Sequence, residues 1–229
     1  MTPAPHRPRF TPVADHALLV EFAEALDEAA HGAVLRLDAA LTQAPCPGVR
    51  EWVPAFVNLM VEFDPAVTDH AAVRAHVSGL LDHAPAGART PATHEVGVCY
   101  DAPLSRDLAE VARRTGLSEE AVIAAHLAGD YRVYLYGFAP GYAYMAGVPE
   151  ALRLDRKTAP VRGVAAGSVI VAGAQCLITT LTMPTGWWIL GSTKVRVLTG
   201  DTSRPFLFDV GDRVRFRRLT RAEYEASDG

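Results

Sequence analysis

The pattern of apolar and polar positions predicts four secondary-structure elements in the first part of the chain. Two apolar runs are rich in residues that favour strands and lack helical spacing, so they predict strands. Two other runs place apolar residues three and four positions apart, as amphipathic helices do. The predicted elements are a strand at 17–22, a helix at about 24–43, a strand at about 49–63 and a helix at 70–83. They predict a compact α+β unit at residues 9–85; an antiparallel sheet with helices on one face is favoured, and a βαβ pairing stays open.

A linker is predicted at residues 84–93. This segment holds two prolines, one glycine and otherwise mostly small residues without periodicity, so it cannot bury enough surface to fold alone. We therefore place a domain boundary there and predict a second domain at residues 94–219.

The second domain begins with a strand and two short helices and then becomes rich in β-structure. The helices are predicted within 105–129, with Ser118 as the N-cap of the second one. Short β-rich runs punctuated by glycine and proline favour a closed or nearly closed barrel. The strands are predicted at 94–100, 131–136, 168–172, 177–180, 187–190, 196–198 and 213–217. The tail at 222–229 is predicted to be frayed.

The helix pair has the length and central glycine of a helix-turn-helix, which raises the possibility of DNA binding. The second helix, 119–127, starts with acidic residues and continues with apolar ones, where phosphate and base contacts need basic or amide side chains. A formal charge of -4 gives no general attraction to nucleic acid or anionic membranes. We therefore predict core packing for this helix, and a cytoplasmic protein, since no signal peptide or membrane-spanning run is found.

Cysteine and histidine usage indicates neither a metal site nor a thiol nucleophile. The three cysteines are far apart and the eight histidines form no metal-binding motif, so no metal ligands are predicted. No histidine follows His126 in the sequence, and a thiolate needs a nearby base or cation, so a buried structural Cys176 is favoured. Standard phosphate-binding loops are also lacking, which means that any ATP site must be non-standard or shared with another chain.

Three segments carry candidate chemistry. The glycine-rich loop 137–147 could wall a pocket with aromatic side chains, although a well-packed connecting loop is the plainer interpretation. A cluster of cations at 156–162, followed by a tight turn, could hold a phosphate or carboxylate, or could be a solvated basic loop. The third segment, 172–194, offers Gln175 as a hydrogen-bonding group and Trp187 or Trp188 as an apolar wall.

These segments resemble the signature of the KipI-like family, which includes the B subunit of 5-oxoprolinase and allophanate hydrolase subunit 1. The clearest match is the stretch 131–147, in which Gly137-Phe138-x-Pro140-Gly141-Tyr142 is embedded. The likeness continues at Arg156, Pro160 and Arg162, at 166–169, at 172–175, at 186–193 and at 211–216. A weaker match extends it over nearly the whole chain.

The resemblance implies a cyclophilin-like barrel domain and a role in an enzyme complex. It implies a partner resembling the C subunit of 5-oxoprolinase, also called allophanate hydrolase subunit 2. In the family this pair acts with a further subunit to open 5-oxoproline to glutamate, and ATP and Mg²⁺ are the implied cofactors. The catalytic candidates are Arg156, Arg162, Gln175 and Lys194. The substrate-binding candidates are Phe138, Pro140, Tyr142, Tyr144, Lys157 and Trp187.

Two departures from the family pattern leave other functions open. Thr185 replaces a glycine, and Ser192 replaces an arginine that would be a bidentate anion clamp, with Lys194 as a candidate compensating cation. A divergent subunit acting on another amide, urea-like or cyclised substrate is therefore an alternative. A regulatory protein that inhibits a kinase by contact is another, because the family includes one.

Overall fold

The computed structural model describes residues 8–83 and 90–227. Contacts divide the chain into two compact units, one up to Thr90 and one from Pro91. The predicted linker at 84–93 lies mostly outside the described residues. None of the helices in the described ranges is both long and apolar enough to cross a membrane.

The first unit is a four-stranded antiparallel sheet with two helices packed on one face. Its strand order is β1-β2-β4-β3. The elements are β1 (Arg9–Val13), β2 (Ala17–Glu21), α1 (Glu28–Gln43), β3 (Val49–Pro54), β4 (Asn58–Phe63) and α2 (His70–His83). Apolar side chains of both helices meet the inward face of β2 and β4 in a single core. The favoured antiparallel arrangement is confirmed, and the βαβ alternative is wrong.

Two predicted elements of this unit differ from the structure. The single strand predicted at 49–63 is a hairpin, because the chain turns after Pro54 and the amide of Ala55 donates to the carbonyl of Asn58 at 2.8 Å. The first helix starts at Glu28 rather than near residue 24, since Asp27 caps it by accepting a hydrogen bond from the amide of Ala30. The sequence pattern does not predict β1.

The second unit is a closed seven-stranded barrel with helices and a small sheet outside it. The barrel order is β10-β7-β6-β13-β5-β12-β9, and β8 and β11 form a separate two-stranded sheet. The strands are β5 (Thr93–Cys99), β6 (Tyr131–Tyr136), β7 (Ala143–Ala146), β8 (Val161–Val164), β9 (Ser168–Ala172), β10 (Gln175–Ile178), β11 (Met183–Thr185), β12 (Trp188–Ser192) and β13 (Arg213–Leu219). The α+β class with a closed barrel is therefore confirmed.

Three helices accompany the barrel: α3 (Leu108–Thr115), α4 (Glu119–Leu127) and α5 (Arg221–Ala226). The hydroxyl of Ser118 caps α4 as predicted, and Val122 and Ile123 are buried in the barrel core, which confirms that this helix faces the core. The predicted strand at 196–198 is wrong, because only an isolated bridge joins Leu198 to Phe206 there. Of the tail predicted to be frayed, residues 222–226 instead belong to α5, which begins with a capping box between Thr220 and Glu223; residues 228–229 lie outside the described residues.

Candidate functional site

The candidate site lies on the outer wall of the barrel. Side chains alternate along each strand, so Cys176 and Ile178 of β10 point into the barrel core while Leu177 points outward. The sheet formed by β8 and β11 covers this outer face and encloses a second, smaller apolar cluster with it. The barrel itself is filled with side chains, so a ligand must bind outside it.

A cavity of about 150 Å³ opens in this outer layer. Six of the residues singled out from the sequence line it: Phe138, Tyr142, Tyr144, Arg156, Thr185 and Trp187. Met183 of its wall lies in the third candidate segment, whereas the sequence did not point to Ile170 and Leu177 as site residues. Arg156 is the one charged side chain among the described lining residues, and it is exposed at the mouth. The cavity is therefore a small pocket of mixed polar and apolar surface, with a single cation among its described lining residues.

Aromatic contacts fix the geometry of this pocket. The rings of Tyr144 and Trp187 meet edge to face with their centroids 5.9 Å apart. The guanidinium carbon of Arg156 lies 5.5 Å from the centroid of Trp187, within the range of a cation–π contact. Burial raises the pKa of the Tyr144 hydroxyl, and nearby Arg156 opposes that rise only partly. The phenol is therefore protonated at neutral pH and can donate a hydrogen bond.

The loop before β7 places a large aromatic side chain at the mouth of the pocket. Phe138 has a φ of 69°, in the left-handed region that costs energy for a residue with a Cβ, and it is 77% exposed. Its ring centroid lies 5.7 Å from that of Tyr142. The hydroxyl of Thr180 anchors the loop by donating to the carbonyl of Pro140 at 2.6 Å. Pro140 thus contributes to the loop's anchoring rather than to the pocket wall.

Thr185, one of the departures from the family pattern, shapes the opposite wall. Its hydroxyl accepts a hydrogen bond from the amide of Trp187 at 3.1 Å. That bond closes a turn between β11 and β12 and fixes the backbone from which the indole of Trp187 projects. Threonine is therefore accommodated here with a structural role of its own.

The remaining predicted site residues do not line this pocket. The ammonium of Lys157 pairs with the carboxylate of Asp107, whose same oxygen accepts the amide of Ile189 at 2.8 Å. Arg162 is exposed on β8. Gln175 is the first residue of β10 and pairs with Ala146 of β7 and Ala172 of β9. Because side chains alternate along a strand, it lies on the same outward face as Leu177. Lys194 lies under α5, where its ammonium donates to backbone carbonyls.

Cys176 has a histidine beside it, which corrects the expectation drawn from the linear sequence. Helix α4 folds back onto the barrel and brings Nε2 of His126 to 3.8 Å from the sulfur of Cys176. On its other side, Nδ1 of His126 lies 2.7 Å from the hydroxyl of Tyr100. Burial raises the pKa of the Cys176 thiol, and the side chain has no exposed surface. Cys176 is therefore a buried thiol, as favoured, and not a nucleophile.

The buried His126 should make the stability of the protein depend on pH. Burial lowers its pKa to about 3, whereas an unfolded histidine titrates near 6.5. Between these values the unfolded state binds one more proton, so the free energy of unfolding should fall as the pH is lowered, by up to about 1.4 kcal/mol per pH unit. Urea denaturation at about pH 7, 6 and 5 should show a shallower pH dependence for His126→Gln than for the unmodified protein. Equal slopes would contradict this assignment.

The pocket on the outer wall is too small for a nucleotide. A cavity of about 150 Å³ accepts a molecule of roughly the size of benzene, far smaller than a nucleotide. Within the described part of the chain, no group of three or more histidine, cysteine or acidic residues is placed to hold a metal ion. The pocket on the outer wall therefore does not fit ATP with Mg²⁺.

Together, the small α+β unit, the closed barrel and the pocket on its outer wall define a two-unit protein of the carboxyltransferase-domain class. The chain belongs to the family described as carboxyltransferase domain, subdomain C and D, whose model matches residues 8–208. It is 30% identical to the B subunit of 5-oxoprolinase from Bacillus subtilis, over 93% of both chains. The resemblance to the KipI-like family is thereby confirmed.

Two solved structures share the fold. The crystal structure of TTHA0988 superposes with a TM-score of 0.79 and 39% identity, over 90% of this chain and 40% of that one. The urea amidolyase of Kluyveromyces lactis superposes with a TM-score of 0.77 at 15% identity, over 95% of this chain and 15% of that one, which shows the fold alone. The chain thus spans well under half the length of both of these proteins.

Proposed function

We propose that this chain is the small subunit of an ATP-dependent complex of the 5-oxoprolinase type, which opens 5-oxoproline to glutamate. The pocket on the outer wall of the barrel is the observation that carries the proposal. It is small, lined by aromatic rings and equipped with one cation at its mouth. The similarity to the B subunit of 5-oxoprolinase over nearly the full length of both chains supports the same function.

The size and chemistry of the pocket match those of the substrate. 5-Oxoproline is a five-membered lactam with one carboxylate, and its ring is close in size to benzene. The apolar ring would lie against Trp187 and Leu177. The carboxylate would pair with Arg156, whose guanidinium already stacks on Trp187 and whose planar fork suits a carboxylate. The protonated hydroxyl of Tyr144 would donate a hydrogen bond to the lactam oxygen.

In this proposal the partner binds the nucleotide. Since the pocket on the outer wall is too small for a nucleotide, and the described residues form no group of three or more metal-ligating side chains, we propose that a partner similar to allophanate hydrolase subunit 2 binds ATP and Mg²⁺. The exposed Phe138 at the mouth of the pocket is where that partner would cover the bound lactam. We place the complex in the cytoplasm.

The proposal is tested by product formation. The chain co-purified with its partner, and supplied with the further subunit of the family's complex, should convert 5-oxoproline to glutamate when ATP is present. Leaving out this chain or its partner should abolish the conversion. Amino-acid analysis of the reaction mixture measures the product directly. If a stable complex forms no glutamate from 5-oxoproline but opens another lactam, the substrate is a different lactam. The chain would then still be a component of an enzyme.

A further inference from the structure

Helix α5 lies across a trench on the barrel that shares no described lining residue with the aromatic pocket. Cavities of about 430 Å³ and 380 Å³ flank the helix, and Thr193, Lys194 and Val195 line both of them. Tyr224 of α5 lines the first cavity, and Glu223 and Ala226 of α5 line the second. We call this feature the α5 trench: residues 193–195 form its floor, and α5 spans it like a strap.

The fixed walls of the α5 trench are positively charged. Lys194 lies on the floor and Arg196 lines the larger cavity. Arg196 is exposed and has no ion-pair partner among residues 8–83 and 90–227. Among the described residues that line the two cavities, Glu223 is the one acidic side chain, and it belongs to the strap. With the strap removed, Lys194 and Arg196 would face the trench without an acidic side chain beside them.

The strap is held by bonds that an anion can replace. The ammonium of Lys194 donates to the backbone carbonyls of Glu225 and Ser227, each at 2.9 Å. The hydroxyl of Tyr224 lies 3.1 Å from that of Ser192. Neutral carbonyls bind a cation less strongly than anionic oxygens do. The half-buried ring of Tyr224 adds a cation–π contact, with its centroid 5.5 Å from the ammonium of Lys194. None of the six residues of α5 is fully buried, so the helix is held by few contacts.

We propose that the α5 trench is a binding site for a phosphate-type oxyanion, and that α5 is a strap which the anion displaces. The anion takes the place of the two carbonyl oxygens at Lys194, and Arg196 contributes a second positive charge. A phosphate has more oxygens than a carboxylate, so one phosphate is better suited to bind two separate cations. This site does not depend on the proposed lactam hydrolysis or on a partner protein.

Inorganic phosphate is the probe for this site. Isothermal titration calorimetry on the full chain, with chloride keeping the ionic strength constant, should detect phosphate binding, and acetate should bind at least about tenfold more weakly. Lys194→Gln should weaken phosphate binding about tenfold or more, because it removes the charge on the floor. Arg215→Gln, an exposed arginine on β13 outside the trench, should leave the binding unchanged.

The strap is tested by loosening it. Tyr224→Phe removes the hydroxyl that contacts Ser192, so it should raise the apparent affinity for phosphate about threefold, since the closed strap competes with the ligand. Saturating phosphate should also speed amide hydrogen exchange at Tyr224 and Ser227, whose amides are bonded within the strap.

Several results would overturn the proposal. Phosphate could fail to bind at about 10 mM, or acetate could bind as tightly as phosphate. The unmodified protein and Lys194→Gln could bind phosphate with equal affinity. Finally, phosphate could leave amide hydrogen exchange in α5 unchanged. If Lys194→Gln fails to fold, Arg196→Gln provides the same comparison, because its side chain is exposed and makes no ion pair in the described part of the chain.

Discussion

Arg156→Ala is expected to lower kcat/KM of the assembled complex for 5-oxoproline roughly 10- to 100-fold, mainly by raising KM. The arginine is the single cation among the described lining residues of the aromatic pocket, and a hydrogen bond to a charged group contributes about 1.5–3 kcal/mol. Arg156→Lys should recover only part of this loss, because lysine lacks the planar fork that pairs with a carboxylate.

A substrate that lacks the carboxylate distinguishes loss of carboxylate binding by Arg156 from damage to the structure of the pocket. With 2-pyrrolidinone, a lactam of the same ring size that lacks the carboxylate, the complex should show low activity that Arg156→Ala hardly changes. Arg215→Ala, on β13 and outside the pocket lining, serves as the matched control and should behave like the unmodified protein. An equal loss on both lactams would mean that Arg156 does not bind the carboxylate.

Gly147→Ala is expected to destabilise the barrel by roughly 3–5 kcal/mol, enough to leave little folded protein. Gly147 has a φ of +124°, and a Cβ added there would lie 2.1 Å from the carbonyl oxygen of Asp130. That neighbour is backbone next to β6, so it cannot move aside without disturbing the barrel wall. Urea denaturation followed by circular dichroism measures the change.

Gly116→Ala is the control for this effect. Gly116 also has a positive φ, of +71°, where it ends α3, but nothing lies within 4 Å of an added Cβ. It should therefore cost only about 1 kcal/mol, the usual penalty for a left-handed residue with a side chain. Similar losses for the two variants would show that the close contact with Asp130 does not determine the stability.

The sequence predicts the elements whose cause is local. The strand at 168–172 and the helix at 70–83 have the bounds that periodicity predicts, and Ser118 caps α4, because each depends on neighbouring residues. The sequence pattern does not predict β1, because Pro12 weakens the pattern of a strand there. The segment becomes a strand through its pairing with β2. The hairpin of β3 and β4 resembles one strand in sequence because no glycine marks its turn.

The candidate site is predictable in its aromatic residues and less so in its cations. The loop at 137–147 predicts a pocket wall because its glycines and aromatics are adjacent in the chain. Arg156 and Lys157 are neighbours in sequence, but only Arg156 lines the pocket, since Lys157 pairs with Asp107, 50 residues away. Lys194 contacts α5, a helix that the sequence predicts to be frayed. Contacts between such distant segments leave no mark in local sequence.

The central claim is tested most directly by phosphate release from ATP in the co-purified complex of this chain and its partner similar to allophanate hydrolase subunit 2. We expect ATP hydrolysis that 5-oxoproline stimulates, in proportion to the glutamate formed, and no stimulation with either chain alone. A stable complex whose ATP hydrolysis is indifferent to 5-oxoproline and to other lactams would contradict the account, and it would favour a regulatory protein that acts by contact.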